Sequence, residues 1–200
     1  MAGRPREFDR YEALRKARDL FWSQGFESTS MADLVSALGL ASARLYAAFG
    51  SKEQLFREAV EDYEAHEGGF VERILAEEAS AVRAIERIFR EAIALYTRPE
   101  GPKGCMVVVA ATNCSAANEK ISSWLADQRL HQTLTLIERM AKAKTAGEFR
   151  PDCNTEALGD AVATFIHGLS IQARDNVPVE RLNQSAALMM ILVEQQTLSG

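Results

Sequence analysis

The stretch Leu38-Gly39-Leu40-Ala41-Ser42-Ala43-Arg44-Leu45-Tyr46-Ala47-Ala48-Phe49-Gly50 constrains the fold more than any other part of the chain. Between Gly39 and Gly50 there is room for only about two helical turns, too few to be stable without tertiary support. Leu45, Tyr46 and Phe49 stand at the one-, three- and four-residue intervals that gather on one side of a helix, whereas Arg44 must project elsewhere. A helix is therefore expected over Ser42 to Phe49, closed by Gly50 and braced from behind. Upstream, Ser30 with Asp33 three residues on forms a capping-box-like pair for a helix over Met31 to Leu38, which Gly39 breaks. Downstream, Ser51-Lys52-Glu53-Gln54 is a capping box for a longer helix through Leu55, Phe56, Val60 and Tyr63. A first helix should run from about Glu7 to Gln24, with Phe8, Tyr11, Leu14, Ala17 and Phe21 as its inner stripe and Gly25 at its end.

Helical spacing of apolar residues continues through the remainder, with no sustained period-2 alternation, so the expected class is all-α. Gly68-Gly69 marks a break, and further helical segments are expected near Ser80 to Thr97, Cys105 to Asn113, Ala117 to Ala146, Asn154 to Asp175 and Pro178 to Gln196. An apolar fraction of 47% over 200 residues is ample for a packed interior. Apolar runs such as Cys105 to Ala111 fall far short of the roughly 20 residues that cross a bilayer, so no membrane span is expected. The amino end has charges but no apolar h-region, which makes the cytoplasm the default location. Cys105, Cys114 and Cys153 are too sparse for a disulfide framework. If the first two share one helix, they lie about 13 Å apart. His66, His131 and His167 are widely separated and no Cys/His spacing suits zinc, so neither a metal nor a cofactor is expected.

The net charge of −5 looks unsuited to a nucleic-acid partner until the chain is divided. Residues 1–57 hold nine Lys/Arg against seven Asp/Glu, a balance of +2, while residues 58–200 hold fourteen against twenty-one, a balance of −7. Six of the nine cations (Arg4, Arg6, Arg10, Arg15, Lys16 and Arg18) fall in the first eighteen residues, a local bias that can outweigh the total.

Two short helices joined at Gly39-Leu40 make a helix-turn-helix, in which the second helix lies in the major groove of DNA. Eight residues span about 12 Å, comparable to the width of that groove. Residues 31–56 resemble the DNA-binding head of the TetR family of bacterial transcriptional regulators. The likeness is carried by the Thr29-Ser30 helix start, Leu34, Gly39-Leu40, Leu45-Tyr46, Phe49, and Ser51-Lys52 followed by Leu55. Gly25-Phe26 extends it to about residues 8–57, and Gly104-Cys105 and Gly168 to Asp175 resemble sequences of one branch of the family. The resemblance implies that Ser42, Ala43, Arg44 and Ala47 face bases and that Thr29, Ser30, Tyr46 and Lys52 touch phosphates. Chemistry agrees: a hydroxyl or exposed N–H at a helix start suits an anion, and Arg44 suits a bidentate grip on guanine. Ala41 stands where many relatives carry a capping Ser, and Ala47 and Ala48 replace larger groups. Direct base contacts are thus few, and Arg4 and Arg6 are candidates for a minor-groove arm.

The resemblance also divides the chain into a DNA-binding domain, residues 1–57, and a ligand-binding and dimerisation domain, residues 58–200. Apolar stripes at Leu158, Val162, Phe165 and Leu169 and at Leu182, Ala186, Met189 and Val193, with further apolar residues off each stripe, lead us to expect a four-helix bundle between two copies. Candidate lining of an effector pocket is Phe89, Ile93, Tyr96, Met106, Val109, Asn113, Trp124, Gln128, His131 and Phe165, apolar walls with a few orienting polar groups. The implied function is a ligand-responsive repressor that binds a pseudo-palindromic double-stranded operator as a homodimer. The alternative class is a small helical enzyme, with Cys114 as its best nucleophile.

Overall fold

The computed structural model describes residues 9–198, which form ten α-helices and one isolated β-bridge. Asp9 starts α1 (Arg10–Gln24), its carboxylate accepting from the amides of Tyr11 and Glu12. The helix thus begins later than the apolar spacing predicts, and Glu7, Phe8, Arg4 and Arg6 lie outside the described residues. Tyr11 is exposed rather than part of the inner stripe, because it sits in the first turn, past the rim of the core formed by Leu14, Ala17, Phe21 and Trp22. Next come α2 (Met31–Leu38), α3 (Ser42–Phe49) and α4 (Lys52–Tyr63), the last capped by Ser51 Oγ, which accepts from Gln54 N–H. The expected domain boundary at residues 57/58 falls inside α4, which therefore runs from the head into the body.

One buried charge cluster holds α1 to α4. The Arg18 guanidinium lies 3.0 Å from Asp62, both side chains only 5% exposed, and it also reaches Asp19 and Glu67. Arg98 closes the cluster, stacked 4.6 Å over the Trp22 ring and 3.3 Å from Glu67. Around it the rings of Phe21, Phe26 and Phe56 pack at 5.0–6.2 Å, and Phe56 meets Trp124 edge-on. A fully buried aromatic of this kind contributes about 1.5–3 kcal/mol.

After Tyr63 the helix widens into a π turn, Glu64–Gly68, before α5 (Phe70–Glu77). Gly68 permits this, since a Cβ there would lie 2.2 Å from the Tyr63 ring. The body then comprises α6 (Ala81–Tyr96), the short α7 (Met106–Val109), α8 (Glu119–Thr145), α9 (Thr155–Arg174) and α10 (Val179–Glu194). Glu148 caps α6 from across the fold, accepting from Ser80 Oγ and the amides of Ala81 and Val82, a carboxylate at the positive end of a helix. The helix expected over Cys105 to Asn113 stops at Val109, so Cys105 and Cys114 do not share one, and all three cysteines are free.

The helices α9 and α10 each have two apolar faces, and periodicity cannot say which one turns inward. Leu158, Val162, Leu169, Leu182, Ala186 and Val193, expected at a dimer interface, are buried in the chain's own core, and Phe165 and Met189 are partly buried. The apolar side chains left outside are instead Ile171, Val179, Leu188, Ile191 and Leu192.

Removing Asp62 takes from the Arg18 guanidinium its most buried carboxylate partner and leaves it Asp19 and Glu67. Asp62→Ala should therefore lower unfolding stability by about 1–3 kcal/mol in urea titration, with part of the loss recovered when Arg18→Met is added. A loss below about 1 kcal/mol, as at an exposed pair, would contradict this account.

Candidate nucleic-acid interface

The axes of α2 and α3 meet at 95°, as a helix-turn-helix requires. Gly39 makes the corner, with a left-handed φ of 65° and its N–H on the Val35 carbonyl. The capping box at the start of α2 is complete: Ser30 Oγ accepts from Asp33 N–H at 3.1 Å, and Asp33 Oδ2 accepts from Ser30 N–H at 2.8 Å.

On α3, Leu45 and Phe49 are buried while Ser42, Ala43, Arg44, Tyr46 and Ala47 are exposed. Tyr46 therefore turns outward rather than joining the inner face, as a phosphate contact needs. The α3 N-cap, Ala41, makes no side-chain bond, so the helix is held from its other end. There Arg10 donates through Nε to the Ala48 carbonyl, stacks 4.5 Å over the Phe49 ring and pairs with Glu58 at 2.6 Å. Local sequence marked Arg10 only as one of several basic residues; its clasp joins residues 38 and 48 positions away.

Ser30 remains at the surface, but Thr29 does not. Thr29 is 0% exposed, its hydroxyl donating to the Gly25 carbonyl at 2.7 Å, so its side chain closes the turn and is not presented to a phosphate. Lys52 is half-buried in the first turn of α4, with Nζ 4.3 Å over the Phe26 ring. Burial pulls its pKa down against the pull of Glu27, Cys114 and Asp33.

The turn between α1 and α2 is latched to the body. Phe26 N–H donates to the Ala110 carbonyl at 2.7 Å, and Trp22 Nε1 donates to the Gly104 carbonyl at 3.2 Å. Arg174 donates to the carbonyls of Trp22 and Ser23. The Glu27 carboxylate accepts from Asn118 Nδ2 at 2.8 Å and Ser115 N–H at 3.2 Å, and these bonds hold its pKa below the usual glutamate range. Sequence separations of 82 to 152 residues kept all these bonds, the one from Phe26 to Ala110 included, from any local signal.

A cavity of about 120 Å³ opens where the π turn faces α5, α7 and α8. Of the ten residues expected to line a pocket, Gln128 and His131 line this one. Phe89, Ile93, Tyr96 and Met106 are instead core, because the apolar stripe of α6 is filled by neighbouring helices, with Phe89 and Phe165 meeting at 4.8 Å. Phe165 also lines a surface groove between α9 and α10. Asn113 is exposed, Val109 half-buried, and Trp124 lies under the Arg57 guanidinium at 4.6 Å. Cys114 Sγ approaches the Ala111 carbonyl at 3.8 Å, and burial raises its thiol pKa, with Glu27 adding to the rise and Lys52 opposing it. A neutral thiol beside a carbonyl is a poor nucleophile.

Comparison with known proteins agrees with this geometry. The family model described as "Bacterial regulatory proteins, tetR family" matches residues 13–59, and "Tetracyclin repressor-like, C-terminal domain" matches residues 81–186. The chain is 34% identical to the HTH-type transcriptional repressor ComR of Escherichia coli strain K12, over 95% of this chain and 91% of ComR. It is 30% identical to the HTH-type transcriptional repressor BdcR of the same strain, over 93% and 89% of the two chains. A cysteine-substituted form of the TetR family regulator CifR, solved with 26-base-pair double-strand operator DNA, is 38% identical. It superposes with a TM-score of 0.88, covering 94% of this chain and 98% of CifR.

The depressed pKa of Glu27 means that its bonds stabilise the fold above the unfolded-state pKa and are lost as pH falls through the lower folded value. Glu27→Gln should therefore melt earlier than the parent chain at neutral pH, the two curves converging in acid. A difference in melting temperature that stays constant with pH would contradict this.

Proposed function

This chain belongs to the TetR family of bacterial regulatory proteins, and from that premise we propose that it is a cytoplasmic, ligand-responsive repressor. It binds a pseudo-palindromic operator as a homodimer and is released or repositioned by a small molecule. The observation that carries the proposal is the outer face of α3: Ser42, Ala43, Arg44 and Ala47 stand exposed on a helix whose Leu45 and Phe49 are buried. Such a helix presents base-reading groups without needing stability of its own. Arg44 takes guanine, Ala43 and Ala47 pack on thymine methyls, and Ser30, Tyr46 and Lys52 approach phosphates. The repressor sense rests on the likeness to ComR and BdcR, and operator binding on the likeness to CifR.

A single head holds DNA weakly, and two heads matched to half-sites one helical turn apart, ~34–36 Å or a multiple, gain affinity together. The outward apolar residues Ile171, Leu188, Ile191 and Leu192 of α9 and α10 supply the surface for a second copy, Leu188 being 67% exposed. In this proposal residues 1–57 read DNA and residues 58–200 sense ligand and dimerise, with α4 shared. The effector signal runs through α7. Val107 and Val108 line the cavity, and Gly104 and Ala110, just outside the helix ends, hold the latch to Trp22 and Phe26. An effector acts only through its differential affinity for the two placements of the head.

Arg44→Ala should weaken a selected operator by about 1–3 kcal/mol relative to random DNA in fluorescence anisotropy. Equal losses on both would remove Arg44 from the reading role. Lys52→Ala should lower affinity on all sequences and flatten the salt slope by about one unit. Leu188→Glu with Ile191→Glu should sediment as a folded monomer that binds an isolated half-site no worse than the parent; a dimer at the same concentration would move the interface elsewhere.

A further inference from the structure

The cavity between the π turn, α5, α7 and α8 holds two opposite charges that never meet. Glu64, on the π turn, is half-buried, and its carboxylate makes no hydrogen bond or ion pair with any described residue. Arg129, on α8, is also half-buried. Its one hydrogen bond among the described residues runs from Nη1 to the Val107 carbonyl at 2.8 Å, and no carboxylate lies within ion-pair distance. Other N–H groups of the guanidinium fork remain available, in the planar arrangement that accepts a carboxylate. Glu72 lines the same cavity and adds a second negative charge near Glu64.

The rest of the wall offers Glu64 only the rim imidazole of His131, and offers Arg129 no carboxylate within ion-pair distance among the described residues. Tyr63 O–H donates to Cys105 Sγ at 3.4 Å, and burial raises the pKa of both groups, so both are neutral. The side chain of Val107 is apolar. His131, 3.7 Å from Glu72, stands at the exposed rim. Burial pushes the Glu64 pKa up, with Glu72 and Glu61 adding to the rise and His131 opposing it, and burial pushes the Arg129 pKa down. Neither Glu64 nor Arg129 has an ion-pair partner among the described residues, and both face the same cavity.

Resting on the proposal that this chain is an effector-controlled regulator, we infer that its effector is a small zwitterion whose ammonium meets Glu64 and Glu72 and whose carboxylate meets Arg129. A neutral ligand leaves both charges unpaired. A plain acid brings negative charge toward two carboxylates, and a plain amine leaves the guanidinium unmet. Only a molecule with both groups answers the site without changing its net charge. Size narrows the class: a cavity of 150 Å³ holds benzene, so about 120 Å³ encloses about five or six heavy atoms of a small amino acid, any longer chain reaching toward the His131 rim.

The test uses the full chain without DNA, so that it stands apart from operator recognition. Binding is followed by calorimetry and thermal shift with glycine, β-alanine, 4-aminobutanoate and 5-aminopentanoate, a ladder in the spacing of the two charges. Butylamine and butanoate serve as the half-molecules. One rung should bind saturably and raise the melting temperature, with both half-molecules at least about tenfold weaker. Glu64→Gln and Arg129→Gln, each checked for a native circular dichroism spectrum, should each weaken that rung about tenfold, and Arg129→Lys should weaken it less than Arg129→Gln. Half-molecules that bind as tightly as the zwitterions, folded variants that bind unchanged, or no binding along the ladder at millimolar concentration would overturn the inference. Loss of operator binding with the ladder result intact would instead strike the regulator proposal alone.

Discussion

Everything this molecule does at its amino-terminal end depends on keeping an eight-residue helix in place. Alone, α3 is too short to form, lacks a side-chain cap at Ala41 and carries its own apolar residues on one face only. Burial of Leu45 and Phe49 supplies the adhesion, and Arg10 supplies orientation by taking the Ala48 carbonyl, stacking on Phe49 and pairing with Glu58. The adhesion of α3 thereby comes from its inner face. Small residues at Ala43 and Ala47 are tolerable on the outer face because stability is provided from behind.

The same logic extends inward. The Arg18–Asp62 pair fixes α1 on α4, so the head moves as one body with the upper part of α4. That helix cannot be assigned wholly to head or body. It ends in a π turn whose far side forms a cavity wall, and Glu67 on that turn reaches back to Arg18. The cavity wall is thereby joined to α1 by two sets of contacts, one through Glu67 and one beside α7.

The architecture of the head was legible in the sequence because its signals are local. Ser30 with Asp33, Gly39, Gly50 and Ser51 each act within four residues, and all the helix bounds they imply in the head after Gly25 are found. What escaped was set by distance. Nothing near Arg10, Glu27 or Arg174 in the chain foretells partners 38 to 152 residues away. On α9 and α10 the failure had another cause: Leu158 and Ile171 are equally apolar, and only the packing of α6 and α8 decides which face turns inward. The cavity was misplaced for a similar reason, since the large side chains of α6 fill space rather than enclose it, while the π turn that opens the cavity leaves no hydrophobic pattern.

The bonds from Phe26 to Ala110, from Trp22 to Gly104, and from Arg174 to Trp22 and Ser23 all end on main-chain carbonyls, and a carbonyl is the same whichever residue bears it. These acceptors do not themselves select a side chain, although Gly104 is held to glycine by its φ of 76° and by the Ser170 carbonyl oxygen, 2.7 Å from where a Cβ would lie. Residues facing the cavity can vary while these main-chain bonds persist, so the wall is free to change without loss of the joint.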